Sequence, residues 1–310
     1  MTFPVTPTTD RLVVVGGLGA VGSMLVDLLR TDGAVVTVVD PRADGAVGTG
    51  DITAPDATLS AVLADADTVI LAVPESVALA AVPVLTRAMR ADALLVETLS
   101  VKSRIHQVLL DRSLPPGSAA PAVGINPMFA PGLGMSGRPV AAVVHRAGPS
   151  VDAFLRSAAG WGAEVVRVDA ARHDRIVAAT QALTHAAVLS FGLALTELDV
   201  GPDELAAIAP PPHTTMLALL ARVGSGLPEV YRDIQAGNPA AGDARAALAR
   251  ALAQLADTVA CGNDATFQEL MDQSVRGLGG RIGEYRALCD TLFRELPTLS
   301  DHVRRSDGDL

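Results

Sequence analysis

Cysteine and charged residues are both scarce in this sequence, and each shortage excludes a class of protein. The 310 residues include two cysteines, Cys261 and Cys289, with no C-x-x-C spacing. We therefore expect neither a disulfide framework nor a zinc site, and no bound metal. Charged residues make up 19% of the chain, the formal net charge is −10, and Lys and Arg form no run. Because nucleic acid is bound through basic surfaces, it is not an expected partner.

We also expect no export signal. Residues 1–7 have neither the basic nor the apolar region of a signal peptide, so we expect a cytoplasmic protein with a loose N-terminal arm. The stretch from Ile176 to Thr196 contains no Asp, Glu, Lys or Arg and is long enough to span a bilayer. However, Gln181 and His185 lie four residues apart in it, on one helix face. We interpret the stretch as a helix buried in protein that turns a polar pair towards a site, and expect no contact with a membrane.

Apolar residues make up 49% of the chain, and the N-terminal half alternates strand and helix patterns. The β-branched run at 12–17 is typical of a buried strand, and apolar residues then recur at helical spacing as far as Asp32. Further strand patterns cover residues 34–39, 68–73, 94–98, 122–125, 140–144 and 164–168. Such alternation predicts an α/β Rossmann fold with a doubly wound, mostly parallel sheet.

The C-terminal half contains only helical patterns. They cover residues 175–199, 203–209, 214–223, 228–236, 240–261 and 264–295. Since single cores stop growing at roughly 250–300 residues, we expect two domains. The first is a Rossmann domain at 1–169, and the second is an all-α domain at 170–310 whose tail frays after about Thr298.

A glycine-rich segment between the first predicted strand and helix indicates a dinucleotide site. Residues 17–22 match G-x-G-x-x-G through Gly17, Gly19 and Gly22. In a Rossmann unit the first glycine makes the tight turn, the second admits the pyrophosphate, and the third lets helix and strand pack closely. Ala20 and Val21 belong to the helix N-terminus, whose N–H groups bind the anion.

An acidic residue ends the second predicted strand. Asp40 stands about twenty residues after the glycines, where a carboxylate accepts hydrogen bonds from ribose hydroxyls and repels a 2′-phosphate. We therefore expect NAD as the cofactor. NADP remains an alternative cofactor because of Arg42, since a nearby arginine can accommodate that phosphate. The alternative to a dinucleotide site is a glycine turn in a flavodoxin-like fold.

Six further segments resemble the prephenate dehydrogenase family in their order and spacing. They are Val69–Pro74, Leu99–Lys102, Asn126–Pro131, Gly160–Ala163, His173-Asp174 and Gln181–His185. The resemblance covers roughly residues 12–295 and implies a Rossmann domain followed by a helical dimerisation domain, hence a homodimer. It also implies NAD-dependent oxidation of a cyclohexadiene. Hydride leaves C4, carbon dioxide leaves C1, and the ring becomes aromatic.

The resemblance implies roles for several residues at the carboxyl edge of the sheet. Val73 and Pro74 would lie beside the cofactor. Ser100 would lie beside the C4 substituent and the nicotinamide, with a helix N-cap as its alternative role. We interpret Lys102 as a surface charge at the start of a helix.

In the helical half, Arg222 matches a family arginine that binds a substrate carboxylate, a task suited to its planar fork. Its alternative is a surface ion pair, the role we expect for Arg232 beside Asp233. Gln181 and His185 resemble residues that line the site, although His185 is equally interpretable as a core histidine.

The remaining histidines receive no catalytic role. We interpret His173-Asp174 as structural, because a helix dipole favours Asp near a helix start. Four others have no partner evident in the sequence and are not expected to act as bases: His106, His145, His213 and His302.

The most informative departure from the family is Asn126, which stands where the family has a histidine that accepts the proton of the C4 hydroxyl. An amide is not a general base, so prephenate chemistry should lose a factor of about 10²–10⁴. One interpretation is a substrate with an amine at C4, as in the family's 4-amino-4-deoxyprephenate dehydrogenase branch, which feeds 4-aminophenylalanine-derived natural products. A neutral amine donates its lone pair without a strong base, and Asn126 can accept its N–H.

Two other interpretations of Asn126 remain open. The protein is a weak or differently assisted prephenate or arogenate dehydrogenase, or it is a catalytically inactive sensor that binds NAD.

Overall fold

The computed structural model describes residues 10–42, 50–111 and 120–307, with side chains as far as residue 297. The expected loose arm at 1–7 and the side chain of His302 lie outside this part. Within it, the N-terminal half forms one sheet of seven strands. The strands are β1 (Arg11–Val15), β2 (Val35–Val39), β3 (Thr68–Leu71), β4 (Leu94–Glu97), β5 (Ala122–Pro127), β6 (Pro139–Arg146) and β7 (Glu164–Arg167).

The strand order of the sheet is β2-β1-β3-β4-β5-β6-β7. Only the β5–β6 pair is antiparallel among the described strands, so the sheet is mostly parallel, as predicted. The chain moves to one side of β1 for β2 and to the other side for β3. A crevice for ligands is expected at the carboxyl ends of β1 and β3, where the strand order reverses.

Helices cover both faces of the sheet because its strands are apolar on both sides. They include α1 (Ala20–Thr31), α2 (Ala57–Asp65), α3 (Glu75–Ala88), α4 (Ser103–Leu110) and α5 (Pro149–Gly160). Val13 and Val15 of β1 pack on one face, and Leu12 and Val14 pack on the other. This alternation produces two apolar cores, which explains the continuous apolar runs in the sequence.

After β7, the described residues form helices and no further strand, as predicted. The helices are α6 (Ala170–Val177), α7 (Leu183–Glu197), α8 (Pro202–Ile208), α9 (Pro211–Gly224), α10 (Pro228–Arg232), α11 (Ala241–Cys261), α12 (Asp264–Val275) and α13 (Ile282–Asp307). A π-helical turn at Ala178–Ala182 joins α6 to α7, so one helix runs from Ala170 to Glu197. Its length and composition alone would allow it to cross a membrane, a property that core helices of soluble proteins share.

The prediction of a single helix over 264–295 is wrong. The helix breaks at Arg276–Arg281, where Gly279 has a φ of 53° and a ψ of −136°. Three glycines in this segment explain the break. Glycine loses more conformational entropy in a helix than other residues do, and it adopts a positive φ without strain. After the break, α13 continues through the tail expected to fray, as far as Asp307.

The contacts between Cα atoms divide the chain into two compact units. The first extends to Thr180 and includes Pro228–Ala241, and the second comprises Gln181–Leu227 and the chain from Gly242. The sheet therefore belongs entirely to the first unit. The last strand, β7, ends at Arg167, shortly before the boundary predicted after residue 169, whereas the first unit continues to Thr180.

Candidate active site

The glycine-rich turn lies at the carboxyl end of β1, in the crevice where the strand order reverses. Gly16 has a φ of 78°, and a Cβ built on it would lie 2.2 Å from the carbonyl oxygen of Ala72. The tight turn is therefore made by Gly16. The assignment of that turn to Gly17 is wrong, since Gly17 has no positive φ and its absent Cβ faces the side chain of Val38 at 2.8 Å.

The other two glycines fit the roles predicted for a dinucleotide site. A Cβ on Gly22 would lie 2.1 Å from the carbonyl oxygen of Gly16, so only glycine allows α1 to approach the turn this closely. Gly19 is the N-cap residue of α1 and makes no side-chain cap, and Ala20 and Val21 form the helix's first turn. The uncapped N–H groups at this helix end suit the pyrophosphate of a dinucleotide.

Asp40 directly follows β2, beside this turn, and is nearly buried, with 3% of its surface exposed. It accepts hydrogen bonds from the backbone N–H of Leu18 at 3.2 Å and of Arg42 at 3.0 Å. The guanidinium of Arg42 also donates to both of its carboxylate oxygens, at 3.0 and 3.2 Å. The side-chain hydrogen bond from Arg42 is the main reason that the pKa of Asp40 lies below its usual value. Asp40 is therefore ionised and held in one orientation.

Val73 and Pro74 follow β3 on the other side of the crevice, and the Val73 side chain approaches to 3.0 Å from a Cβ built on Gly16. The next residue, Glu75, begins α3 and was not predicted as a functional residue. Its Oε2 accepts from Arg104 at 2.6 Å, whereas its buried Oε1 has no hydrogen-bond partner in the described chain. Burial raises the pKa of Glu75, against the attraction of Arg104.

The interpretation of Lys102 as a surface charge is wrong, because Lys102 is fully buried. Its ammonium donates to both carboxylate oxygens of Glu97 at 2.8 Å and to the carbonyl oxygen of Ile125 at 2.9 Å. Burial would raise the pKa of Glu97, but Lys102 and His145 outweigh it and hold that pKa below its usual value. The ion pair thus joins the end of β4 to the backbone of β5, directly before Asn126.

His106 and His145, for which the sequence shows no partner, both have partners in the structure. Nε2 of His145 lies 2.9 Å from Oε1 of Glu97, and the Nδ1 atoms of the two histidines are 2.9 Å apart. The Nε2–H of His145 donates to the Glu97 carboxylate, and the two Nδ1 atoms are close enough for one histidine to donate a hydrogen bond to the other. The two histidines therefore extend the buried polar network from Glu97 to the half-buried surface of α4.

Ser100 lies in the loop between β4 and α4 and is partly buried. The alternative role of helix N-cap is wrong, because the N-cap residue of α4 is Lys102, which makes no side-chain cap. The hydroxyl of Ser100 therefore does not cap this helix.

Asn126 lies near the carboxyl end of β5 and is 3% exposed. Its Nδ2 is 3.2 Å from Nε2 of His173, and Nδ1 of His173 is 2.8 Å from Oδ1 of Asp174. His173 and Asp174 are each 1% exposed. Sequence reasoning missed this contact, since the 47 positions that separate Asn126 from His173 leave no local signal.

Asp174 does not cap α6, the helix to which it belongs. The N-cap of α6 is Asp169, whose side chain accepts from the N–H of Arg172. Asp174 instead accepts the backbone N–H groups of Lys102 at 2.8 Å and Ser103 at 2.9 Å, and so caps α4 from a distant part of the chain. Burial would raise the pKa of Asp174, but hydrogen bonds from His173 and from this helix end outweigh it and lower the pKa. The prediction that Asp174 stabilises its own helix start is therefore wrong.

The remaining predicted site residues belong to the second compact unit. Gln181 lies in the π-helical turn, and its buried Oε1 has no hydrogen-bond partner in the described chain. His185 lies on α7, and burial lowers its pKa. Arg222 lies exposed in the last turn of α9 and forms no ion pair within the described chain, unlike Arg232, whose expected pair with Asp233 spans 3.8 Å.

Comparison with known proteins identifies the family. A family model described as "Prephenate dehydrogenase, dimerization domain" matches residues 169–273. The chain is 52% identical to a 4-amino-4-deoxyprephenate dehydrogenase of Streptomyces pristinaespiralis, over 92% of this chain and 97% of that relative. The chain belongs to the prephenate dehydrogenase family. A T-protein of Enterobacter agglomerans is 32% identical to this chain, and the match covers 74% of this chain and 57% of the T-protein. The family predicted from the sequence motifs is thus confirmed.

Solved structures of prephenate dehydrogenase family members have the same fold. A prephenate dehydrogenase from A. aeolicus, solved with hydroxyphenyl propionate and NAD+, has a TM-score of 0.65 at 16% identity and covers 87% of this chain and 98% of its own. An arogenate dehydrogenase from Synechocystis has a TM-score of 0.56 at 19% identity, and the match covers 89% of this chain and 99% of that enzyme. These similarities confirm the predicted fold class, a Rossmann domain followed by an all-helical domain.

Proposed function

We propose that this protein is an NAD-dependent dehydrogenase that converts 4-amino-4-deoxyprephenate to 4-aminophenylpyruvate and carbon dioxide. The observation that carries the proposal is the buried amide of Asn126 where the family has a histidine. The similarity to the Streptomyces pristinaespiralis relative over nearly the whole chain supports the same substrate. We further propose that the reaction serves antibiotic biosynthesis.

NAD, when bound, accepts the hydride that leaves C4 of the ring. The residues for holding it are those of the crevice: Gly17, Gly19, Ala20, Val21, Gly22, Asp40, Val73 and Pro74. The closely approached glycines and the uncapped start of α1 support this assignment. The ion pair between Asp40 and Arg42 reduces the repulsion of a 2′-phosphate, so NADP is bound less well than NAD but not excluded.

The electronic demand of the reaction explains why an amide suffices. As hydride leaves C4, positive charge develops there, and the attached group must donate electron density. A hydroxyl donates strongly only as its proton is removed, which requires a base. A neutral amine donates its nitrogen lone pair directly, and Asn126 needs only to accept one of its N–H groups. The electrons of the C1–carboxylate bond then complete the aromatic ring as carbon dioxide leaves.

The remaining residue assignments rest on the resemblance to the family. Ser100 of the first unit contacts the C4 substituent, and Gln181, His185 and Arg222 of the second unit are substrate-binding residues. We assign residues 1–169 to the cofactor domain and 170–310 to the substrate and dimerisation domain, and we propose a cytoplasmic homodimer. The match of residues 169–273 to a dimerisation-domain model supports that assembly.

The proposal is tested by supplying 4-amino-4-deoxyprephenate, prephenate and arogenate separately to the purified protein with NAD. With 4-amino-4-deoxyprephenate, NADH and carbon dioxide should form in equal amounts, together with 4-aminophenylpyruvate. With prephenate, turnover should be far slower. If prephenate or arogenate is oxidised at least as fast, the hydroxyl substrate is the physiological one. If NAD binds and none of them reacts, the protein is a sensor.

Arg222→Ala should weaken substrate binding more than it slows the chemical step. We expect KM for the substrate to rise about 10- to 150-fold, because a charge-assisted hydrogen bond to a carboxylate contributes about 1.5–3 kcal/mol. Steady-state kinetics measure the change. Arg232→Ala is the matched control, since Arg232 is exposed and paired with Asp233. Equal KM values for the Arg222→Ala variant and the unmodified protein would remove Arg222 from the site.

A further inference from the structure

Three buried side chains of the first compact unit, Asp174, His173 and Asn126, are joined in series by hydrogen bonds. Only Asn126 occupies a position that the proposed reaction uses. The contact of Asn126 with His173 depends on how the amide is oriented, because its Nδ2 donates hydrogen bonds and its Oδ1 accepts them. Which end is turned to His173 decides which end remains for the substrate.

The backbone of α4 fixes the direction of the series. Asp174 receives the N–H groups of Lys102 and Ser103, so its carboxylate is held as an acceptor. Nδ1 of His173, 2.8 Å from Asp174, must then carry a proton to donate. In a neutral imidazole the other nitrogen, Nε2, has a lone pair and accepts. Asn126 can satisfy that lone pair only by presenting Nδ2, at the observed 3.2 Å.

The same contacts argue against His173 as a replacement for the missing base. Its Nε2 lone pair is occupied by Asn126, and the side chain is 1% exposed. Asn126 carries no titratable proton to pass between His173 and a substrate. Within the described chain, Asn126 makes no second side-chain hydrogen bond, so its Oδ1 remains available.

We propose that Asp174 and His173 are positioning residues that lock the amide of Asn126, with Nδ2 held on His173 and Oδ1 left to accept an N–H of the substrate's amine. The inference rests on the proposed function, since it specifies how Asn126 meets an amine. The orientation matters because a reversed amide would donate Nδ2–H to the amine lone pair. That hydrogen bond would withdraw the electrons that must flow into the ring during hydride transfer.

The locked orientation therefore affects the chemical step more than binding. We expect His173→Leu, which removes the acceptor, to lower kcat for 4-amino-4-deoxyprephenate about tenfold, the scale of one hydrogen bond, with little change in KM. His173→Gln should keep most of kcat, because a glutamine amide can donate to Asp174 and accept from Asn126. Rescue by glutamine distinguishes positioning from simple loss of packing.

The decisive experiment is a double-mutant cycle between His173 and Asn126, with kcat as the readout. In an Asn126→Ala background no amide remains to be oriented, so His173→Leu should cause almost no further loss of kcat. The control is His106→Leu, which alters a half-buried histidine of α4 that contacts His145 rather than Asn126. It should change kcat by the same factor in both backgrounds. Thermal unfolding of each variant checks that the fold is retained.

The outcomes separate this inference from the function on which it rests. If the unmodified protein does not oxidise 4-amino-4-deoxyprephenate, the proposed function fails and the positioning role falls with it. If the unmodified protein does oxidise it, but His173→Leu lowers kcat equally with and without the Asn126 amide, only the positioning role is overturned. A tenfold loss that depends on Asn126 and is rescued by glutamine supports it.

Discussion

Replacing Lys102 with methionine is expected to lower the free energy of unfolding by about 3–5 kcal/mol, the usual cost of leaving one partner of a buried ion pair uncompensated. Methionine retains most of the length of the side chain but cannot donate to Glu97 or to the carbonyl oxygen of Ile125. Both acceptors are buried, so the lost hydrogen bonds are not replaced by water. Chemical denaturation measures the loss.

The matched control is Arg167→Met, which breaks the exposed ion pair between Arg167 and Asp152. Exposed pairs contribute about 1 kcal/mol at most, so this variant should be nearly as stable as the unmodified protein. Adding Glu97→Gln to Lys102→Met should restore much of the lost stability by removing the buried charge. Equal losses for Lys102→Met and Arg167→Met would contradict the importance of the buried pair.

Replacing Asn126 with histidine is expected to raise kcat/KM for prephenate, by up to the factor of about 10²–10⁴ that a general base contributes. The surroundings of Asn126 suit this change. An imidazole at this position can donate one ring N–H to Nε2 of His173 and keep the lone pair of its other nitrogen for the hydroxyl proton. The pair of His173 and Asp174 would thus select the tautomer that can act as a base.

The comparison for this variant is Asn126→Ala, which removes the amide without supplying a base. Asn126→Ala should not gain activity on prephenate. A gain with histidine alone would identify proton transfer as what the unmodified protein lacks. If neither variant gains activity, other residues of the pocket decide between hydroxyl and amine.

The sheet and the dinucleotide crevice could be predicted because their signals are local. A run of β-branched residues that ends in glycines is a buried strand in almost any context, and the G-x-G-x-x-G motif carries its own steric reason. The predicted position of the tight turn was wrong by one residue. Three of the residues from 16 to 19 are glycines, and only the contact between Gly16 and Ala72 shows which of them requires a positive φ.

The polar network around Asn126 was largely hidden from the sequence. Glu97 ends an apolar strand pattern, and a carboxylate in such a run signals a buried partner, so the ion pair with Lys102 could have been found. The contacts of Asp174 with α4 and of His173 with Asn126 depend on tertiary packing across 71, 72 and 47 positions. No periodicity or spacing encodes them.

The central claim is that the amide at residue 126 selects a substrate able to supply electrons without losing a proton. The most direct test mixes equal concentrations of 4-amino-4-deoxyprephenate and prephenate with the unmodified protein and NAD, and measures the ratio of the two aromatic products at early times. That ratio equals the ratio of the kcat/KM values. We predict a large excess of 4-aminophenylpyruvate, whereas equal products or an excess of 4-hydroxyphenylpyruvate would contradict the claim.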